Sequence, residues 1–130
     1  MKNFIIAASI IAVGLIVGEV LLSTRNNSIA PQGINANNVF LVEGKQIVEI
    51  SAKGGYQPRT SIAKSGIPTI LRFKTNGTFD CSSSVRIPSL NISKVLPQTG
   101  ATDIDLGIQP SATLQGTCGM GMYPFEVQFQ

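Results

Sequence analysis

The sequence gathers three of its sulfur-bearing side chains into one short run, Thr117-Cys118-Gly119-Met120-Gly121-Met122-Tyr123, and places a fourth, Cys81, far upstream. If the run is near-extended, the two-residue period of a strand sends the sulfurs of Cys118, Met120 and Met122 to one side. Gly119 and Gly121 let the backbone curl, so that the three can converge on a point. Cys81 follows the Asn76-Gly77 turn and can meet them at one end of a small β-domain. Thiolate and thioether sulfur are soft donors that select copper(I), whereas zinc rarely accepts Met and hard cations want oxygen. The two thiolates would supply charge and affinity, and the neutral thioethers would complete the coordination or form a weaker second position. The same residues have a plainer reading, in which Cys81 and Cys118 form a structural disulfide and the Met fill space. Met alternating with Gly in a turn is poor filler, and the only other Met is the initiator.

The rest of the composition narrows the chemistry. There is no His, which removes His-centred catalytic triads and every imidazole ligand, so no enzyme is expected. A blue-copper centre needs two His beside its Cys and Met, so redox cycling of a bound copper is disfavoured. The net charge of +3 is scattered, with no basic run and only 6% aromatic residues, and nucleic acid is not an expected partner. Three function classes remain: a copper(I) binding and transfer module, a copper electron carrier, and a metal-free β-sandwich that recognises a partner while Cys81 and Cys118 are cross-linked.

Residues 4–22 are predominantly apolar, with Glu19 the one charge, and as a helix they would be roughly 28 Å long, close to a hydrocarbon core of about 30 Å. Residues 1–22 are therefore expected to be a membrane anchor, retained in preference to cleavage as a signal peptide. Residues 23–38 are Asn-rich, lack periodicity and read as a flexible linker. Lys2 before the span and Arg25 after it favour, by a small margin, a domain on the extracytoplasmic side.

The folded domain is expected over residues 39–130. Period-two alternation marks strands at Val48/Ile50/Ala52, Thr69/Leu71/Phe73, Ser83/Val85/Ile87, Ile104/Leu106/Ile108, Ala112/Leu114 and Phe125/Val127/Phe129. Turn residues separate them, and no amphipathic helix intervenes. This predicts an all-β domain, an antiparallel Greek-key sandwich or barrel.

Taken together, Gly54-Gly55-Tyr56-Gln57-Pro58, Gly66-Ile67-Pro68, Cys81, Leu96-Pro97 and the CGMGMY run at 118–123 resemble the cupredoxin-like domains of membrane-anchored bacterial copper(I) chaperones of the CupA type, and the small cupredoxin domains called EfeO-type. The resemblance covers about the last ninety residues, a single-domain length. It implies a cupredoxin-like Greek-key β-sandwich behind one transmembrane helix, with copper(I) ligands at Cys81, Cys118, Met120 and Met122. It also implies a role in copper homeostasis or resistance, with copper sequestered and passed to a copper-exporting P-type ATPase.

Overall fold

The computed structural model describes residues 38–130. The expected anchor, residues 1–22, and all but the last residue of the expected linker, residues 23–38, lie outside the described residues. Runs rich in Val, Ile, Thr and Phe with apolar side chains at every second position suit a pleated, half-buried surface. Among the described residues they form ten strands: β1 (Val39–Val42), β2 (Lys45–Ala52), β3 (Tyr56–Gln57), β4 (Thr60–Ala63), β5 (Pro68–Asn76), β6 (Ser84–Ile87), β7 (Ile92–Val95), β8 (Thr99–Ile108), β9 (Thr113–Cys118) and β10 (Pro124–Phe129). One sheet runs β1-β2-β5-β8 with β3 also on β2, and the other runs β4-β10-β9-β6-β7.

The sheets pack face to face. Val48, Ile50, Leu71 and Phe73 of the first share one core cluster with Val85, Ile87, Leu114 and Val127 of the second. The alternation read from the sequence is realised most fully in β5, where Thr69, Leu71, Phe73 and Thr75 all point inward. Tyr56, Phe73 and Phe125 meet edge to face at the centre, with ring centroids 4.9, 5.4 and 5.7 Å apart. Such contacts add about 0.5–1.5 kcal/mol each beyond the area they bury.

Gly116 is what admits the central ring. A Cβ added there would lie 2.1 Å from Cζ of Phe125. Gly116→Ala is therefore expected to destabilise the domain by about 2–3 kcal/mol, the cost of overfilling a packed core. Urea unfolding measures it, and an unchanged midpoint would mean that the ring swings aside freely.

The structure corrects the expected antiparallel pairing at two places. β2 and β5 run parallel, as do β4 and β10. The chain leaves the first sheet through β4 and returns beside β2, so β2 and β5 enter from the same end. Ile108 also departs from the expected face and is 64% exposed. The β5/β8 register slips between Thr69 and Ile70, whose partners are Gly107 and Asp105. A one-residue bulge at Leu106 turns the residues beyond it to the other side.

On the outer face of the first sheet, Arg72 donates two hydrogen bonds to Asp103 across β5/β8, at 2.8 and 3.0 Å. Those bonds hold the Asp103 carboxyl below its ordinary value of 3.8. A carboxyl depressed by folding stabilises the folded state above its unfolded pKa, and the contribution disappears as pH falls through the depressed value. The pair is largely exposed, so water screens it and its contribution is small. Asp103→Asn should thus lower the urea midpoint slightly at pH 7 and by less at pH 2. An equal loss at both pH values would show that the ionised carboxylate is not what matters.

Candidate metal centre

Cys81 opens a single 3-10 turn, Cys81–Ser83, and Asp80 caps it. One carboxylate oxygen of Asp80 accepts the Ser82 backbone N–H at 2.8 Å and also the Ser82 hydroxyl. The other accepts the Gly54 N–H at 2.9 Å, tying the turn to the Gly54-Gly55 loop. The Ser82 hydroxyl, then the two N–H groups, hold the Asp80 carboxyl below the ordinary carboxylate range. An Asp whose side chain bonds the amide two residues on is a local turn former, so Cys81 sits on a braced element. Tyr56 braces it from beneath, its hydroxyl donating to the Ser84 carbonyl at 3.1 Å. Burial first, and then the charge of Asp80, push the Tyr56 phenol far up.

Cys118 ends β9 opposite Val85 of β6 and is wholly buried, with 0% of its surface exposed. Its N–H donates to the Tyr123 carbonyl at 3.1 Å and its carbonyl accepts the Gly121 N–H at 2.9 Å, closing the β9–β10 connection. The structure joins Cys81 to Cys118 in a disulfide, with Cα atoms 5.7 Å apart, and leaves no free cysteine among the described residues. That spacing lies in the usual range for bonded cysteines. Of the alternatives the sequence left open, this is the cross-linked form.

The expected near-extended course of residues 118–123 is not adopted, because the segment is a turn. Gly121 takes the left-handed φ of 76° that a residue with a Cβ resists. Gly119 is pressed against β6, where its N–H donates to the Ser84 carbonyl at 3.0 Å. An added Cβ would come 2.8 Å from the Ser84 hydroxyl. Inside this turn the three sulfur residues do not share a side. Cys118 faces the core, whereas Met120 and Met122 are 80% and 62% exposed. Tyr123 is half-buried and packs against the core, while Phe125 belongs to it.

The structure thus brings Cys81 to Cys118 and leaves Met120 and Met122 in solvent on the adjoining turn. Sequence reading overlooked the groups that position the pair: Asp80, Ser82, Gly54 and Ser84. An Asp two residues before a Ser, just after a Gly-Thr turn, was the available signal. No cluster of three or more Cys, His, Asp or Glu side chains among the described residues is placed to hold a metal ion. A groove of about 620 Å³ on the second sheet, lined by Arg59, Thr60, Gln115, Thr117 and Glu126 among others, contains none of the four sulfur residues.

The sequence profile of the family described as Cupredoxin-like domain matches residues 15–128 of the chain. The fold is shared with two solved structures. One is the metal-binding domain of the copper(I)-exporting P-type ATPase CopA of Streptococcus pneumoniae D39, solved with copper(I). It is 22% identical, with a TM-score of 0.63, over 71% of this chain and 92% of that one. The other is a copper-binding protein solved in its apo form by NMR, 18% identical, with a TM-score of 0.65, over 71% of this chain and 94% of that one. No curated protein matches the chain.

Proposed function

Because the chain belongs to the cupredoxin-like domain family, we propose that its Cys81–Cys118 end, in the dithiol form, holds copper(I) with help from Met120 and Met122. One observation carries the reading. Two cysteines 37 residues apart in sequence are brought to a Cα separation of 5.7 Å, next to a turn that displays two thioethers to solvent. The donor chemistry fits a soft monovalent ion: two thiolates give affinity, and neutral thioethers at the open edge give a position from which the metal can leave. In the disulfide the two sulfurs hold each other, so the form that binds copper is the reduced one. Both solved relatives are described as metal- or copper-binding, which supports the reading without assigning ligands here.

The wider role follows from the same premise. Residues 1–22 would tether the domain to a membrane, where it sequesters copper(I) and passes it to an acceptor such as a copper-exporting P-type ATPase. Carbonate washing tests the tether: the full chain should stay with the membrane fraction, and release into the wash would refute it.

The copper K-edge spectrum of the copper-loaded, reduced chain tests the site. Its nearest shell should be sulfur alone. Met120→Leu combined with Met122→Leu keeps volume and apolarity, and should lower the sulfur count and slow transfer to an acceptor while the tightest copper stays bound. A nitrogen or oxygen shell in the unaltered chain would contradict the assignment, and unchanged sulfur count and transfer in the double variant would exclude both Met from the site. A metal-free module cross-linked by Cys81–Cys118 is the second reading, favoured by the disulfide itself, and a reduced chain that takes up no copper would establish it.

A further inference from the structure

We propose that the Cys81–Cys118 bond is a reversible lock on the copper site, opened by a dithiol that attacks the sulfur of Cys81. The inference rests on the copper(I) reading above and adds a regulator and a partner chemistry to it. Its basis is the unequal placement of the two bonded residues. Cys118 is 0% exposed, is paired to β6 through Val85, and is enclosed by the turn that its own backbone closes with Tyr123 and Gly121. Cys81 is partly exposed and stands on a one-turn element at the domain surface, two residues after Phe79, which is 76% exposed. Thiol–disulfide exchange requires access to the sulfur under attack and a thiolate that can leave. The geometry offers Cys81 for attack and Cys118 as the leaving group.

The exchange balances without a further reagent. One thiolate of the dithiol bonds to Cys81, the Cys81–Cys118 bond breaks, and Cys118 leaves as a thiolate. The second thiol of the partner, as thiolate, then attacks its own sulfur in the mixed disulfide and expels Cys81 as a thiolate. The partner departs as a disulfide, and its two electrons now reside on the two cysteines. Closing is the reverse reaction, with a disulfide such as oxidised glutathione as acceptor of the two electrons. Bound copper stays copper(I) throughout and loses its two charged ligands when the bond closes. Met120 and Met122 are exposed with the bond closed, so they remain as a weak way station for copper leaving the site. The exposed apolar surface of Phe79 beside the point of attack suits a protein dithiol whose cysteines are set in an apolar surface.

The test uses the full chain, prepared with oxidised glutathione and then treated with dithiothreitol under anaerobic conditions, each form being titrated with copper(I) against a chromophoric chelator. The oxidised form should bind at least about 100-fold more weakly, more than loss of an outer-shell partner costs, and reduction should restore full affinity. A second arm uses a thioredoxin-type dithiol protein whose second cysteine is replaced by Ser, so that the mixed disulfide persists. Peptide mass mapping should place it on Cys81. A trapped adduct on Cys118 would overturn the lock while leaving the copper site standing, whereas equal copper affinity in the two forms would overturn both, since the disulfide offers the metal no thiolate. A reduced chain that holds no copper would overturn the site and the lock together.

Discussion

Cys81→Ser in the reduced chain is expected to weaken copper(I) binding by more than about 100-fold, beyond the 10–100-fold that loss of an outer-shell partner costs. A hydroxyl is a harder donor than a thiolate and stays neutral, so it replaces neither the softness nor the charge. The position is chosen because Cys81 is partly exposed, where a hydroxyl can be hydrated and the fold need not suffer from the new group. Cys118 is a poorer site for the same experiment. It is fully buried, and an unpaired hydroxyl there would cost about 1–3 kcal/mol on its own account. Chelator competition reads the affinity directly. Wild-type affinity in the Cys81 variant would remove that residue from the site.

Reduction of the Cys81–Cys118 bond should lower the unfolding free energy by about 4 kcal/mol, the loop-closure value for cross-linked residues 37 positions apart. Small domains have only about 5–15 kcal/mol in all, so the dithiol form is expected to unfold at a clearly lower urea concentration. Copper should then return part of what reduction removes. A ligand present at about 100 times its Kd stabilises the native state by about 2.7 kcal/mol. Urea curves for the oxidised, reduced and copper-loaded reduced chain should therefore rank with the reduced, metal-free form lowest. Coincident oxidised and reduced curves would mean that the bond restrains little in the unfolded chain. The absence of any gain with copper would mean that the native dithiol binds it no more tightly than the unfolded chain does.

What the sequence revealed and what it hid can be traced to single residues. Val48, Ile50 and Ala52, and Thr69, Leu71 and Phe73, sit on uninterrupted period-two runs, and all six are buried. Strand β4 escaped because its pattern is inverted. Ser61 points inward and takes a hydrogen bond from the Asn38 amide at 2.8 Å, while Ile62 is only partly buried on the other face. No hydropathy rule assigns that strand. Parallel pairing of β2 with β5 depends on where the chain crosses between sheets, and local periodicity carries no record of a crossing. At the site, the meeting of Cys81 and Cys118 followed from placing both at one end of a small sandwich. The side to which Met120 and Met122 point did not follow, since a turn closed by the Gly121 N–H and the Cys118 carbonyl abolishes the alternation that an extended run would have imposed.

The central claim is that the Cys81 and Cys118 thiolates hold copper(I). Anaerobic competition titration of the fully reduced chain against a chromophoric copper(I) chelator tests it most directly, with a Cys81→Ser/Cys118→Ser double variant titrated beside it. The account predicts that the reduced wild-type chain withholds at least one copper(I) from the chelator at concentrations where the double variant surrenders all of it. Equal retention by both proteins, or by neither, would contradict it.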